Sequence, residues 1–134
     1  MKKKVLAVSI TRLYDRFGQQ KGRMPSEDDI YDMARWAWRS REAESCRIVF
    51  ACVHRTIKGV FEVREWFSCG AARNRPELRP SATDDGIRCQ EIEDDIRQGR
   101  RMAFIGNIAD CARRFIGKDA PRFYGPIGYL TVNC

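Results

Sequence analysis

Apolar positions along the chain fall into alternating and helical rhythms that break at glycine, proline and charged clusters. Val5, Leu6, Val8 and Ile10 form a first strand-like run behind three lysines. The stretch from Phe17 to Pro25, basic and carrying glycines, reads as an exposed loop. Ser26 then opens a helix, with Glu27, Asp28 and Asp29 in the first turn, where negative charge suits the helix dipole. Ser26 and Asp29 approximate a capping box, and Ile30, Met33, Ala34 and Ala37 supply the buried side. Helix stabilisation accounts for the three acids without a catalytic role.

A short polar helix near Arg41 to Ser45 leads to the clearest pairing signal in the chain. Cys46 to Val53 passes through His54-Arg55 into Thr56 to Trp66, a hairpin of two strands. Alternation along Val60 to Phe67 marks the second strand as half buried, and Gly59 within it predicts a bulge that bends the sheet. From about 69 to 99 the pattern dissolves into a long irregular excursion with one short helix near Gln90 to Gln98. Arg100 to Ile105 returns as a strand. Gly106 is expected to turn the chain into a helix from Asn107 to about Ile116, lined by Ile108, Cys111, Ala112 and Phe115 and ended by Gly117. Ile127 to Val132 closes the chain as a last strand after the Gly125-Pro126 turn. The class is α+β, in one domain spanning 1–134.

Composition narrows the picture. Hydrophobic residues make up 43% and charged residues 32%, enough for a folded core and unlike a disordered chain. The longest apolar stretch, Ile48 to Val53, is far below the roughly 20 residues of a membrane span, so no membrane partner is expected. The lysine-rich start imitates a signal peptide, but Thr11 and Arg12 end its apolar part early, and a cytoplasmic location is expected. The six cysteines lack a short pair and there is a single histidine. Reduced thiols are expected, Cys46 and Cys52 pointing the same way as small hydrophobes, with neither a metal site nor a cofactor.

Charge brings in a partner. Nineteen arginines and six lysines against eighteen acids give +7, and the excess lies in residues 1–25, 46–75 and 100–134. Arginine grips phosphate bidentately and stacks on flat rings, so a face joining these segments suits nucleic acid. The densest aromatic and basic cluster is Trp36, Trp38, Arg39, Ser40 and Arg41. Indole rings beside guanidinium groups can clasp an unstacked base. Two tryptophans two positions apart do not share one helix face, so one is expected in the core and one at the site.

These residues carry a resemblance. Trp36-x-Trp38-Arg39-Ser40, Val49-Phe50-Ala51-x-Val53 leading to Ile57-Lys58-Gly59-Val60-Phe61-x-Val63-x-x-Trp66, then Arg101-x-x-Phe104-x-Gly106-x-x-Ala109, Gly117-Lys118 and Pro126-Ile127-x-Tyr129 resemble bacterial domains of the PUA-like superfamily, which includes the ASCH, EVE and YTH groups. The resemblance covers about 30–68 and 100–132. It implies a small, strongly bent, mostly antiparallel, barrel-like sheet with flanking helices. It also implies a pocket that accepts a modified or flipped base or binds RNA, lined by Trp36, Trp38, Arg39, Ser40 and Trp66. Arg73 and Arg75 in the excursion join the candidate nucleic-acid contacts, as a clamp or as a solvated loop.

The leading expectation is therefore a non-catalytic module that binds DNA or RNA. A nucleic-acid-processing enzyme is the second reading, with His54 as its best base, although no Walker loop, nucleophile elbow or HExxH motif is present. A small interaction protein or inhibitor docking its basic face on an acidic protein partner is the third. A homodimer through an exposed strand edge is compatible with all of them.

Overall fold

The computed structural model describes residues 1–81, 85–122 and 125–134. Its elements are β1 (Lys2–Ser9), α1 (Thr11–Lys21), α2 (Glu27–Ala34), β2 (Ile48–Val53), β3 (Thr56–Ser68), α3 (Gly86–Gln98), β4 (Met102–Ile108) and β5 (Ile127–Asn133). Single 3₁₀ segments lie at Ala43–Ser45, Cys69–Arg73, Pro76–Leu78 and Asp110–Phe115. The architecture is α+β, with one five-stranded mixed sheet in the order β4-β3-β2-β1-β5. β1 and β2 run parallel through the α1–α2 crossover, and the other three pairings are antiparallel.

Central position explains the composition of β1 and β2. Both strands have neighbours on each side and are covered on both faces, so Val5 to Val8 and all of Ile48–Val53 are buried. Leu6, Val8, Val49 and Ala51 meet Ile30, Met33 and Ala34 of α2 on one face. Val5, Ala7, Ile48 and Phe50 meet Ala109, Ala112 and Val132 on the other. A third layer holds Trp36, Phe67, Cys69, Leu78, Ala103 and the inner face of α3, Ile92 and Ile96.

The predicted hairpin and the bulge beside Gly59 are present: the register passes from Ala51 opposite Gly59 to Cys52 opposite Ile57, leaving Lys58 as the extra residue. A side chain at Gly59 would place its Cβ 2.8 Å from Ile30 Cγ2, so the bulge lets β3 pass close over α2. The capping box is also present, with Asp29 N–H donating to Ser26 Oγ at 3.2 Å and Ser26 N–H to Asp29 Oδ2 at 2.8 Å.

Five expectations are corrected. The sheet bends but stays open, because β4 and β5 do not pair. The segment after α2 spans the gap instead, Trp38 pairing its backbone with Met102 and Ser40 reaching Tyr129 on β5. The expected loop at 17–25 is helical as far as Lys21, since Leu13, Tyr14 and Phe17 pack on the layer over α2 and Gly22, at φ 64°, ends the helix. Gly106 continues β4 opposite Val63 and makes no turn. A Cβ there would sit 2.0 Å from Glu62 O, because β3 carries a second register shift between Val63 and Glu65. The helix expected from Asn107 is only the 3₁₀ segment Asp110–Phe115. The excursion, apart from 82–84 outside the described residues, is a packed layer. Its helix begins at Gly86 under an Asp85 cap and ends at Gly99, at φ 71°.

The cysteines also depart from expectation. Cys111 and Cys134 form a disulfide, while Cys46, Cys52, Cys69 and Cys89 are free. Cys46 and Cys52 face opposite layers, because the strand begins only at Ile48. Burial pushes the Cys52 and Cys69 thiols up to about 12, so both pack as apolar groups. No helix among the described residues is long and apolar enough to cross a membrane.

Candidate nucleic-acid interface

The two tryptophans share one fate. α2 ends at Ala34, and the chain after it is extended, so neighbouring side chains alternate between layers. Trp36, 1% exposed, enters the third layer against Phe67 and donates its indole N–H to Asp95 Oδ2 at 3.1 Å. Trp38, 8% exposed, enters the first layer and donates to Ala34 O at 2.7 Å. Both rings are core residues, and the expected division into one core and one site tryptophan does not hold. Trp66 is half-buried, its ring 5.3 Å from that of Phe104 and its N–H donating to Cys46 O. Neither Trp36 nor Trp38 presents an open face.

The basic members of the cluster behave differently. Arg39 and Arg41 are exposed and form no ion pair among the described residues. Ser40 Oγ lies 2.7 Å from the Tyr129 hydroxyl, and Lys4, which pairs with Glu42, sits over the same tyrosine ring. Arg73 donates to the carbonyls of Ile96 and Arg97, at the negative end of α3. Arg75 pairs with Glu65 and Glu77. The excursion arginines thus hold the third layer to the sheet and stand apart from Arg39 and Arg41.

Beside the tryptophans lies a cleft of about 440 Å³. It is lined by Trp36, Ala37, Trp38 and Ser9 and, from α3, by Glu91 and Asp95. Arg12, Arg88 and Arg101 supply the cations. Arg88, largely buried, donates to Trp36 O at 2.9 Å, and burial moves its guanidinium below the usual arginine range. Burial likewise raises Asp95, opposed by Arg101 and by the Trp36 N–H. Arg101 Nε lies 3.8 Å from Asp95 Oδ1, is shut off from solvent and makes no hydrogen bond. Glu91 is held by Arg16 at 2.8 Å and Arg12 at 3.4 Å. The cleft therefore offers both acceptors and donors, the pattern a heterocycle with mixed hydrogen-bonding edges requires.

Of the residues that line this cleft, the sequence singles out Trp36 and Trp38 alone. Ser9, Arg88, Asp95 and Arg101 are scattered along the chain, and only the folded chain, with α3 packed on the Cys69–Arg73 segment, assembles them. Pairing of Trp38 with Met102 also sets the exposed Arg39 opposite Arg101, with Arg100 its neighbour in sequence, while Arg41 lines a separate cleft with Ser40, Glu42 and Met102. His54, the candidate base, is at the hairpin tip with Nε2 3.0 Å from Asp15, away from this cleft's lining. Searches against protein-family models, curated proteins and solved structures each find no match to the chain.

Proposed function

We propose that the protein is a nucleic-acid-binding module, with phosphates held by Arg39, Arg41 and Arg100 and one unstacked base entering the cleft lined by Arg88, Glu91, Asp95 and Arg101. The observation that carries this reading is a cleft of mixed donors and acceptors whose lining residue Arg101 stands opposite Arg39, an exposed arginine without a carboxylate partner among the described residues. The resemblance to PUA-like domains supports the same reading, since it implies a base-accepting pocket around these residues. Because the Trp36 and Trp38 indole faces are packed away, base selection falls to the Asp95 and Glu91 carboxylates as acceptors and Arg101 as donor, and affinity falls to the arginines.

Fluorescence anisotropy with labelled single- and double-stranded DNA and RNA, at low and physiological salt, tests it. Combined Arg39→Ala, Arg41→Ala and Arg100→Ala is expected to weaken binding at least about tenfold and to flatten the slope of log K against log salt by about 2 for a single strand. Unchanged affinity in this variant, or no binding to any of the four nucleic acids, overturns the reading. In the second case an acidic protein partner becomes the better account of the charge.

A further inference from the structure

A second cleft, of about 810 Å³, opens at the carboxyl ends of the parallel strands β1 and β2. Ser9 lines both clefts, so they meet at the end of β1. The chemistry here is cationic and hydroxylic: Ser9, Thr11, His54, Arg55 and Arg122, with Asp119 as the carboxylate among the lining residues. Arg55 and Arg122 are exposed and form no ion pair among the described residues. Thr11 Oγ1 accepts the His54 backbone N–H at 3.1 Å and the Ser9 hydroxyl at 3.4 Å, which leaves its own proton to donate. The His54 ring is held by Asp15.

The hairpin tip gives the reason to look here. His54 and Arg55 occupy a two-residue turn at φ 46° and φ 67°, left-handed backbone that Asn-Gly fills at least cost. The turn is braced, with Ala120 N–H donating to Arg55 O at 2.7 Å and Ile57 N–H to Lys118 O at 2.9 Å. An arginine on braced, unfavourable backbone, lining the same cleft as a second exposed arginine, is placed for a ligand at the expense of the turn.

We propose that this cleft binds a phosphate group, gripped by Arg55 and Arg122 with a hydroxyl from Ser9 or Thr11. The phosphate belongs either to a nucleic-acid strand whose base sits in the neighbouring cleft, an extension that rests on the function proposed above, or to a free nucleotide. The test is an NMR titration with inorganic phosphate against a chloride control, following arginine side-chain N–H resonances. It is repeated with short single-stranded oligonucleotides bearing or lacking a 5′-phosphate and with a nucleoside monophosphate.

The decisive variant combines His54→Asn and Arg55→Gly, which relieves the turn while removing the cation. Its melting temperature is expected to rise, and its affinity for phosphate to fall at least about tenfold. Arg122→Ala, on a different segment, is expected to weaken phosphate similarly. Saturable phosphate binding lost in both variants supports the site. An oligonucleotide preference for the 5′-phosphate identifies a terminal group, and indifference to it identifies an internal diester. Phosphate binding with no oligonucleotide binding keeps this site and removes the nucleic-acid reading. Failure of phosphate to shift any resonance, or retention of binding by the double variant, overturns the proposal.

Discussion

Two glycine-to-alanine substitutions are expected to act in opposite directions, and together they test the register of the sheet. At Gly106 an added Cβ would lie 2.0 Å from Glu62 O and 3.2 Å from Val63 Cα, both backbone atoms of β3. A carbon and an oxygen in ordinary contact are more than 3 Å apart, so β3 and β4 would have to part by about 1 Å at their closest pairing. That separation disturbs the pairing around Val63 and Gly106 and the 2.8 Å bond from Gly106 N–H to the Tyr31 hydroxyl. Two or three hydrogen bonds at about 1 kcal/mol each, with about 1 to 3 kcal/mol of overpacking, give a loss of about 3 to 6 kcal/mol. For a chain of this size the melting temperature falls by roughly 10 to 20 °C. Gly18 is the control: it is helical and exposed in α1, nothing stands within 4 Å of its Cβ position, and alanine there adds about 0.5 to 1 kcal/mol. Thermal and urea unfolding followed by circular dichroism read both. A Gly106→Ala melting temperature within a few degrees of the parent would refute this pairing of β3 with β4, and a destabilised Gly18→Ala would refute a helix across residues 11–21.

Three further outcomes follow from the structure. Cys111→Ser, or reduction, opens a loop with a sequence separation of 23 and should cost about 3 kcal/mol; six titratable thiols in the unreduced, unfolded protein would show that the bond is absent. Trp38→Ala removes a ring from the first layer and should cost about 3 to 5 kcal/mol, whereas Arg39→Ala should leave the melting temperature within a degree or two, as differential scanning calorimetry would show. Burial raises the Asp29 carboxyl, but the Ser26 backbone and hydroxyl bonds and Arg23 outweigh it and hold the group below 3.8. Its contribution is complete above that unfolded value and is lost as pH falls through the lower folded one. Asp29→Asn should therefore flatten the acid side of the stability curve below about pH 4, and an unchanged acid limb in urea titrations would contradict the capping box.

The parts of this protein written in its local sequence are those whose physics is local. The capping box needs only Ser26 and Asp29 three residues apart, and the hairpin needs only two apolar runs joined by two residues. The Gly59 bulge needs a glycine within an otherwise β-branched and aromatic strand. The third layer carried similar marks, Asp85 ahead of a helix with Ile92 and Ile96 on one side and Gly99 behind it, but charge and proline around them masked the periodicity. Gly106 shows the opposite case: its absence of a side chain serves a close approach by β3, and no neighbour in sequence distinguishes that from a turn. Whether Trp36 and Trp38 are walls or core depended on which layers cover them, and that is settled by α3 and β4, remote in the chain. The cleft follows from the same fact, since Ser9, Arg88, Asp95 and Arg101 come together only when the helix docks. Periodicity, caps and turns act over a few residues, whereas burial, register and the convergence of charge are properties of the packed whole.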